Sequence, residues 1–113
     1  MVKNLIAQAL SNLLENAVKY ADGGTEILIT AGKQNGFAIR VRSEGIPVHA
    51  DEKAKLFERG YRGQAAQQRV APGTGIGLYL ANRIMKIHKG RIDIEANGRI
   101  SIFSLVFPLS SIA

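Results

Sequence analysis

The chain has 113 residues, 46% of them hydrophobic and 21% charged, which suffices for one globular domain. It has no cysteine, which excludes disulfides, thiolate metal sites and a cysteine nucleophile. The net charge of +6 suits an anionic partner such as a nucleotide polyphosphate, but scattered basic residues and an aromatic content of 6% disfavour nucleic acid. No apolar stretch approaches the ~20 residues that cross a bilayer and no signal-peptide pattern is present, so we expect a cytoplasmic domain without membrane contact.

The first half of the chain predicts a helix followed by a hairpin. Apolar residues at helical spacing indicate a helix from about Val2 to Tyr20, which Asp22-Gly23-Gly24 ends. Alternating β-branched residues predict strands over Thr25 to Lys33 and Phe37 to Arg42. These strands flank Gln34-Asn35-Gly36, and Asn-Gly between two such stretches favours an antiparallel hairpin.

The middle of the chain predicts loops around a short helix. Ser43 to Pro47 is expected to be a loop, and a short helix should follow from about Asp51 to Phe57. The glycine-rich segment from Glu58 to Thr74 has little apolar periodicity and is predicted to be a long loop; such loops in small domains usually serve as lids or binding loops. A second helix should run from about Gly75 to Lys89, with Gly90 at its C-terminal cap.

The C-terminal residues predict a second pair of strands. Arg91 to Glu95 and Ile100 to Phe107 alternate as strands do, on either side of Asn97-Gly98. The resulting order is helix, two strands, short helix, lid loop, helix and two strands. This order predicts an α+β domain, a two-layer sandwich in which the helices cover one face of a mixed sheet.

Two asparagines interrupt the apolar first helix. Asn12 and Asn16 are four residues apart and therefore share a face, with Lys19 and Tyr20 on the following turn. Asparagine is mildly unfavourable inside a helix, so the amide oxygens could serve a ligand. A solvent-facing polar stripe is the alternative that the spacing leaves open.

A cluster of glycines, Gly73-Thr74-Gly75-Ile76-Gly77-Leu78, lies where the lid loop meets the second helix. Glycines allow backbone amides to approach an anion, and a helix N-terminus presents unpaired N–H groups to phosphate. A dinucleotide-binding motif would need a strand before the glycines, and a P-loop would need Lys-Ser or Lys-Thr after them. Arg59, Arg62 and Arg69 on the preceding loop could reach phosphate oxygens, whereas a glycine hinge and ordinary surface arginines are the simpler alternatives.

Several motifs in this order resemble the catalytic domain of sensor histidine kinases, within the group that also includes gyrase-type ATPases and a heat-shock chaperone. Asn12 to Tyr20 resembles the family's asparagine box, Leu56 to Gly63 its phenylalanine box and Gly73 to Leu78 its second glycine box. Ile87 to Gly90 and Phe107 to Leu109 resemble the family's helix end and last strand. The resemblance covers nearly the whole chain and implies the ATP-binding Bergerat fold, a form of the predicted sandwich, over residues 1–113.

The resemblance implies a role for each matching residue. Asn16 would hold Mg²⁺ through its amide oxygen, with Asn12 as a second ligand or positioning group. Lys19 would contact phosphate, and Tyr20 would lie against adenine. The remaining implied phosphate contacts are the lid arginines Arg59 and Arg62 and the backbone of Gly73, Thr74, Gly75, Ile76, Gly77 and Leu78.

The resemblance also implies how ATP is used. Gyrase-type relatives carry a glutamate at the position of Asn12 as general base for water, and asparagine cannot take that role. The implied activity is transfer of the ATP γ-phosphate to a histidine on a separate dimerisation domain of the same kinase, with a response regulator as indirect partner and a parent chain that can be membrane-anchored. His49 and His88 lie outside the expected position of the phosphoacceptor, so the domain alone should not autophosphorylate.

The chain departs from the family's pattern at the first glycine box, which normally reads Asp-x-Gly-x-Gly and accepts a hydrogen bond from the adenine amine. Here Ser43 stands at the aspartate, Gly45 at the first glycine and Pro47 at the second. A hydroxyl is a shorter, uncharged acceptor, and Glu44 should point to the other side of an extended backbone. Two alternative functions follow: a serine protein kinase of the anti-sigma type, and a pseudokinase that serves as a docking module with weak nucleotide binding.

Overall fold

Within the described residues, two α-helices and four strands form in the order that the sequence predicts. The computed structural model describes residues 3–33, 36–49, 51, 53, 55–57 and 77–108. The elements are α1 (Lys3–Tyr20), β1 (Leu28–Lys33), β2 (Phe37–Glu44), a 3₁₀ helix (Lys55–Phe57), α2 (Gly77–Ile87), β3 (Arg91–Asn97) and β4 (Ile100–Phe107). The predicted lid loop from Glu58 to Thr74 and the centre of the first hairpin turn lie outside the described residues.

The four strands form one sheet in the order β1-β2-β4-β3, and every neighbouring pair is antiparallel. The predicted mixed sheet is therefore wrong for the described part of the chain, although the α+β sandwich is confirmed. The connection through α2 leaves β3 running parallel to β2, but β4 lies between them. No two neighbouring strands of the described sheet are therefore parallel, because the second hairpin places β4 between β2 and β3.

The first strand is shorter than predicted. It begins at Leu28, because the turn that ends α1 continues into the segment expected to be extended. The Thr25 hydroxyl donates a 2.6 Å hydrogen bond to the Asp22 carbonyl oxygen, and the Thr25 amide bonds the same oxygen at 3.3 Å. This local arrangement is an alternative to strand pairing that threonine and aspartate favour.

The second strand is longer than predicted, since it includes Ser43 and Glu44, which were expected in a loop. They pair with Ser101 and Ile100 of β4. Their pattern has no apolar alternation, so only the pairing with a distant strand reveals them as extended. The loop begins at Gly45.

Both helices cover one face of the sheet, as predicted. Successive side chains of a strand point to opposite faces, so the residues of β2 and β4 that pair with one another divide into two sets. The covered set includes Val41 opposite Phe103 and Ile39 opposite Leu105. The buried core residues of the helices are Ala9, Leu13, Ala17 and Tyr20 of α1 and Leu78, Ala81, Ile84 and Met85 of α2.

The edge strand β1 is not covered by the helices. All six of its residues are exposed, including Leu28 and Ile29. The core is therefore centred on β2 and β4, the two inner strands, and the helices that pack on them also pack on each other.

The end of α2 differs from the prediction that placed Gly90 at the cap. The residue in the left-handed conformation is Lys89, with φ of 60°. Its amide bonds the Lys86 carbonyl at 3.0 Å, and the Gly90 amide bonds the Met85 carbonyl at 2.8 Å, which is a Schellman motif. Gly90 follows the cap, and a glycine is needed there for a different reason: a Cβ would lie 2.8 Å from Met85 Cε and closer still to the carbonyl oxygen of Val106.

The turn between β3 and β4 is shifted by one residue from the predicted Asn97-Gly98. Asn97 is the last residue of β3 and pairs with Ile100, so the two-residue loop is Gly98-Arg99. Gly98 has φ of 60°, as the first loop residue of a type II′ hairpin requires.

The predicted short helix from Asp51 to Phe57 contains the 3₁₀ helix Lys55–Phe57, whose Leu56 is buried in the core.

Candidate functional site

Asn12 and Asn16 lie on one side of α1, at the border of its buried stripe, and both are half-buried. The Nδ2 atom of each amide is shielded from solvent and has no hydrogen-bond partner in the described part of the chain. Leaving a buried polar group unpaired costs about 1–3 kcal/mol, so two adjacent cases point to a ligand that supplies the partners. This is what distinguishes the pair from a solvent-facing polar stripe.

The N-terminal end of α2 lies beside Asn12. A Cβ placed on Gly77 would be 3.8 Å from Asn12 Cβ and 4.0 Å from Asn12 Cγ, so the two backbones come close here. The partial positive charge of a helix N-terminus favours an anion at this position. The structure thus places Gly77 close to Asn12, whereas Gly73, Thr74, Gly75, Ile76, Arg59 and Arg62 lie outside the described residues.

Lys19 and Tyr20, on the last turn of α1, differ in exposure. Lys19 is exposed and lines an open groove of about 370 Å³ with Ser11, Leu14, Glu15 and Val18. Tyr20 is 7% exposed and belongs to the hydrophobic core. Its ring therefore offers little surface to a base, while its backbone carbonyl accepts a 2.8 Å hydrogen bond from Ile46.

Gly45 joins the end of β2 to the end of α1. Its amide donates to the Arg99 carbonyl at 2.8 Å, and it forms an isolated bridge with Ala21. A Cβ at Gly45 would lie 2.7 Å from the Asp22 amide nitrogen and closer still to the Tyr20 carbonyl oxygen. Gly45 is thus required for the close approach of two backbones, a role the sequence analysis did not anticipate.

Ser43 and Ser101 face each other across β2 and β4 on the face that the helices cover. They pair in register and are 3% and 1% exposed. The Ser101 Oγ has no hydrogen-bond partner in the described residues. Ser101 was not predicted as a candidate, because a serine in an alternating strand carries no signal until its partner is known. Glu44 is exposed on the opposite face, as its position after Ser43 predicts, so it cannot replace the hydroxyl.

The side chains of three further residues considered in the sequence are wholly or partly buried. Leu78, in the first turn of α2, is buried in the core, and Pro47 is half-buried between the core residues Ile46 and Val48. His88 is buried, and its Nδ1–H donates to the Ile84 carbonyl oxygen at 2.8 Å, which gives this imidazole a structural role at the helix end.

The described residues contain no group of three or more acidic or histidine side chains that could hold a metal ion. A cation at Asn12 and Asn16 would therefore be held by amide oxygens together with ligand oxygens. Among the described helices, none is long and apolar enough to span a membrane.

Comparison with known proteins identifies the family to which this α+β sandwich belongs. Residues 1–111 match the family described as histidine kinase-, DNA gyrase B- and HSP90-like ATPase. The chain belongs to this family.

Relatives and solved structures are similar to this chain over most of its length. It is 33% identical over 105 residues to the sensor histidine kinase CusS of Escherichia coli O157:H7, and 33% identical over 108 residues to the sensor-like histidine kinase SenX3 of Mycolicibacterium smegmatis. The matches cover 92% and 94% of this chain but only 22% and 28% of those proteins. The catalytic domain of the histidine kinase ThkA superposes with a TM-score of 0.78 at 26% identity, covering 95% of this chain and 69% of that one.

Proposed function

We propose that this chain binds Mg-ATP and donates the γ-phosphate to a histidine on a separate dimerisation domain, as the catalytic domain of a sensor histidine kinase, with a response regulator downstream. The observation that carries the proposal is the pair of half-buried amides, Asn12 and Asn16, whose unpartnered Nδ2 groups can donate to phosphate oxygens, with the N-terminal end of α2 beside Asn12. Membership of an ATPase family supports the nucleotide, and the kinase names of the relatives support the transfer.

The residues present fit a magnesium-bound triphosphate. Mg²⁺ takes oxygen ligands, usually one or two from the protein and others from phosphate and water. Asn16 and Asn12 would supply amide oxygens, and the cation would neutralise charge on the phosphates. Lys19, exposed one turn beyond Asn16, would add a positive charge, and the Gly77 backbone would approach the phosphates without steric hindrance.

The phosphate contacts beyond this core remain proposals from the sequence. Arg59 and Arg62 would close over the γ-phosphate, and the backbone from Gly73 to Ile76 would surround the phosphates together with Gly77 and Leu78.

Asn12 also limits what the site can do with water. An amide cannot accept a proton from water near neutral pH. Glu15 is exposed, roughly 100° from Asn16 around α1, and lines a groove with Lys19. The domain should therefore hold ATP with slow hydrolysis and require an acceptor histidine from elsewhere.

Calorimetric titration with ATP, in the presence of Mg²⁺ and of EDTA, tests the proposal. The wild-type chain should bind Mg-ATP more tightly than free ATP. Asn16→Ala should weaken Mg-ATP binding at least ~10-fold, or ~1.4 kcal/mol, and should abolish the difference between the two conditions. The matched control is Asn4→Ala, which removes an exposed amide from the same helix and should leave both affinities unchanged.

Two outcomes would contradict the proposal. If wild-type protein gives no binding heat and no thermal shift at high nucleotide concentration, the site is not a nucleotide site, since a ligand at 100 times its Kd should add ~2.7 kcal/mol of stability. If Asn16→Ala binds with unchanged dependence on Mg²⁺, Asn16 does not hold the cation.

A further inference from the structure

The hairpin turn between β3 and β4 contains an asparagine that is followed directly by a glycine. Asn97 is the last residue of β3, and Gly98 is the first residue of the two-residue loop. Both residues are exposed. Neither the side-chain amide of Asn97 nor the backbone N–H of Gly98 forms a hydrogen bond with another described residue. The two groups are therefore free to react with each other.

An asparagine side chain and the backbone nitrogen of the next residue can close a five-membered ring. The nitrogen attacks the side-chain carbonyl carbon and displaces ammonia, and the product is a succinimide. Water then opens this ring at one of its two carbonyl groups, which gives aspartate or isoaspartate. In isoaspartate the main chain continues through the former side chain. Glycine as the next residue favours ring closure, because it has no Cβ and its backbone adopts conformations that other residues avoid.

The surroundings of Asn97 differ from those of the other candidate positions in the chain. Asn35 precedes Gly36, which is buried, and a Cβ on Gly36 would overlap a neighbouring backbone carbonyl oxygen. Asp22 precedes Gly23, but its carboxylate is ion-paired with Arg99, and a carboxylate reacts poorly with a nitrogen nucleophile. Helical backbone holds the two groups apart at the remaining asparagines, which are Asn4, Asn12, Asn16 and Asn82.

The loop that begins with Gly98 also connects the end of α1 to the sheet. The Arg99 carbonyl oxygen accepts a 2.8 Å hydrogen bond from the Gly45 amide, and the Arg99 guanidinium forms an ion pair with Asp22. Isoaspartate in place of Asn97 would add a backbone carbon directly before this loop. Arg99 could not then keep both contacts while β3 and β4 stay in register.

We propose that Asn97 is a site of spontaneous modification, at which ring closure onto the Gly98 nitrogen and hydrolysis convert the asparagine to aspartate and isoaspartate. The conversion consumes water and releases ammonia, so it needs no enzyme and no other reactant. The isoaspartate form loses the contacts of Arg99 and, with them, part of the junction between α1 and the sheet.

Incubation of the purified chain in mildly alkaline buffer, followed by tryptic digestion and mass spectrometry, tests the modification. Trypsin separates the two Asn-Gly sequences into the peptides 92–99 and 34–40. The 92–99 peptide should gain the mass difference between an amide and an acid several-fold faster than the 34–40 peptide, and its fragmentation should show isoaspartate. Asn97→Gln keeps an amide but requires a larger ring, so its 92–99 peptide should stay unchanged. Asn82→Gln is the matched control and should leave the rate at Asn97 unchanged.

Asn97→Asp separates the effect of the new charge from that of the longer backbone. This variant carries the charge on an ordinary backbone, so its midpoint of urea unfolding should equal that of the wild type. The acidic fraction of the incubated wild-type protein, isolated by ion-exchange chromatography, contains isoaspartate. It should unfold at a lower urea concentration than the unmodified fraction.

Four results would overturn the proposal, and none of them depends on nucleotide binding. Absence of a mass change in the 92–99 peptide excludes Asn97 as a site. Equal conversion of the 34–40 peptide shows that the burial of Gly36 does not protect Asn35 and removes the structural argument. An acidic fraction as stable as the unmodified protein shows that the contacts of Arg99 survive the longer backbone. An Asn97→Asp variant as unstable as the acidic fraction assigns the effect to charge.

Discussion

Replacing Gly45 with alanine should loosen the junction between α1 and the sheet. The added Cβ would lie 2.7 Å from the Asp22 nitrogen, 2.9 Å from the Ala21 carbonyl carbon and closer still to the Tyr20 carbonyl oxygen. All three atoms belong to the backbone, so no side-chain rotation can relieve the overlap. The end of α1 must move away from β2.

The magnitude follows from the hydrogen bonds that this movement breaks. Two backbone bonds hold the junction: Asp22 to Glu44 at 2.9 Å and Ile46 to Tyr20 at 2.8 Å. Each contributes about 0.5–1.5 kcal/mol net, and overpacking typically costs about 1–3 kcal/mol. We expect Gly45→Ala to lower the free energy of unfolding by ~3 kcal/mol, which for a domain of this size lowers Tm by ~10–15 °C.

Urea unfolding followed by far-ultraviolet circular dichroism measures this effect through a lower midpoint at unchanged slope. Gly23→Ala is the matched control: Gly23 lies on the same side of the junction, and a Cβ there meets no atom within 4 Å. It should change stability by less than ~0.5 kcal/mol. If Gly45→Ala is as stable as Gly23→Ala, the close approach of the two backbones does not limit stability and the reasoning fails.

Two further substitutions test the end of α2. Lys89→Gly should raise the free energy of unfolding by ~0.5–1 kcal/mol, because glycine adopts the left-handed conformation of Lys89 without strain. Lys86→Gly, inside the helix, should lower the free energy of unfolding by about the same amount. Thermal melts of both variants check this, and a destabilised Lys89→Gly would contradict it. Gly90→Ala should cost ~2–3 kcal/mol, since its Cβ would overlap the carbonyl oxygen of Val106 and lie 2.8 Å from Met85 Cε. A change below ~0.5 kcal/mol in chemical denaturation would show that the strand and the side chain adjust freely.

The elements that the sequence predicted best are those whose formation depends on residues that are close together in the chain. The apolar spacing of α1 places it at Lys3–Tyr20, and the alternation of β4 places it at Ile100–Phe107, in agreement with the predicted ranges over the described residues. Helical spacing and strand alternation arise from the geometry of a few neighbouring residues, so the chain itself contains the information. The asparagine pair was recognisable for the same reason, since four residues are one helical turn.

Other parts of the site depended on contacts between distant segments. Ser43 belongs to a strand rather than a loop only because Ser101 pairs with it, and Ser101 drew no notice as a single serine. Gly45 and Gly90 appeared to be loop and cap residues, yet each is the point where another backbone approaches too closely for a side chain. The sheet is antiparallel rather than mixed because β4 inserts between β2 and β3. The spacing of apolar residues indicates which secondary structure a segment forms. Which strands pair, in which register, and where two backbones come close depend on which distant segments are in contact, and only the tertiary structure determines that.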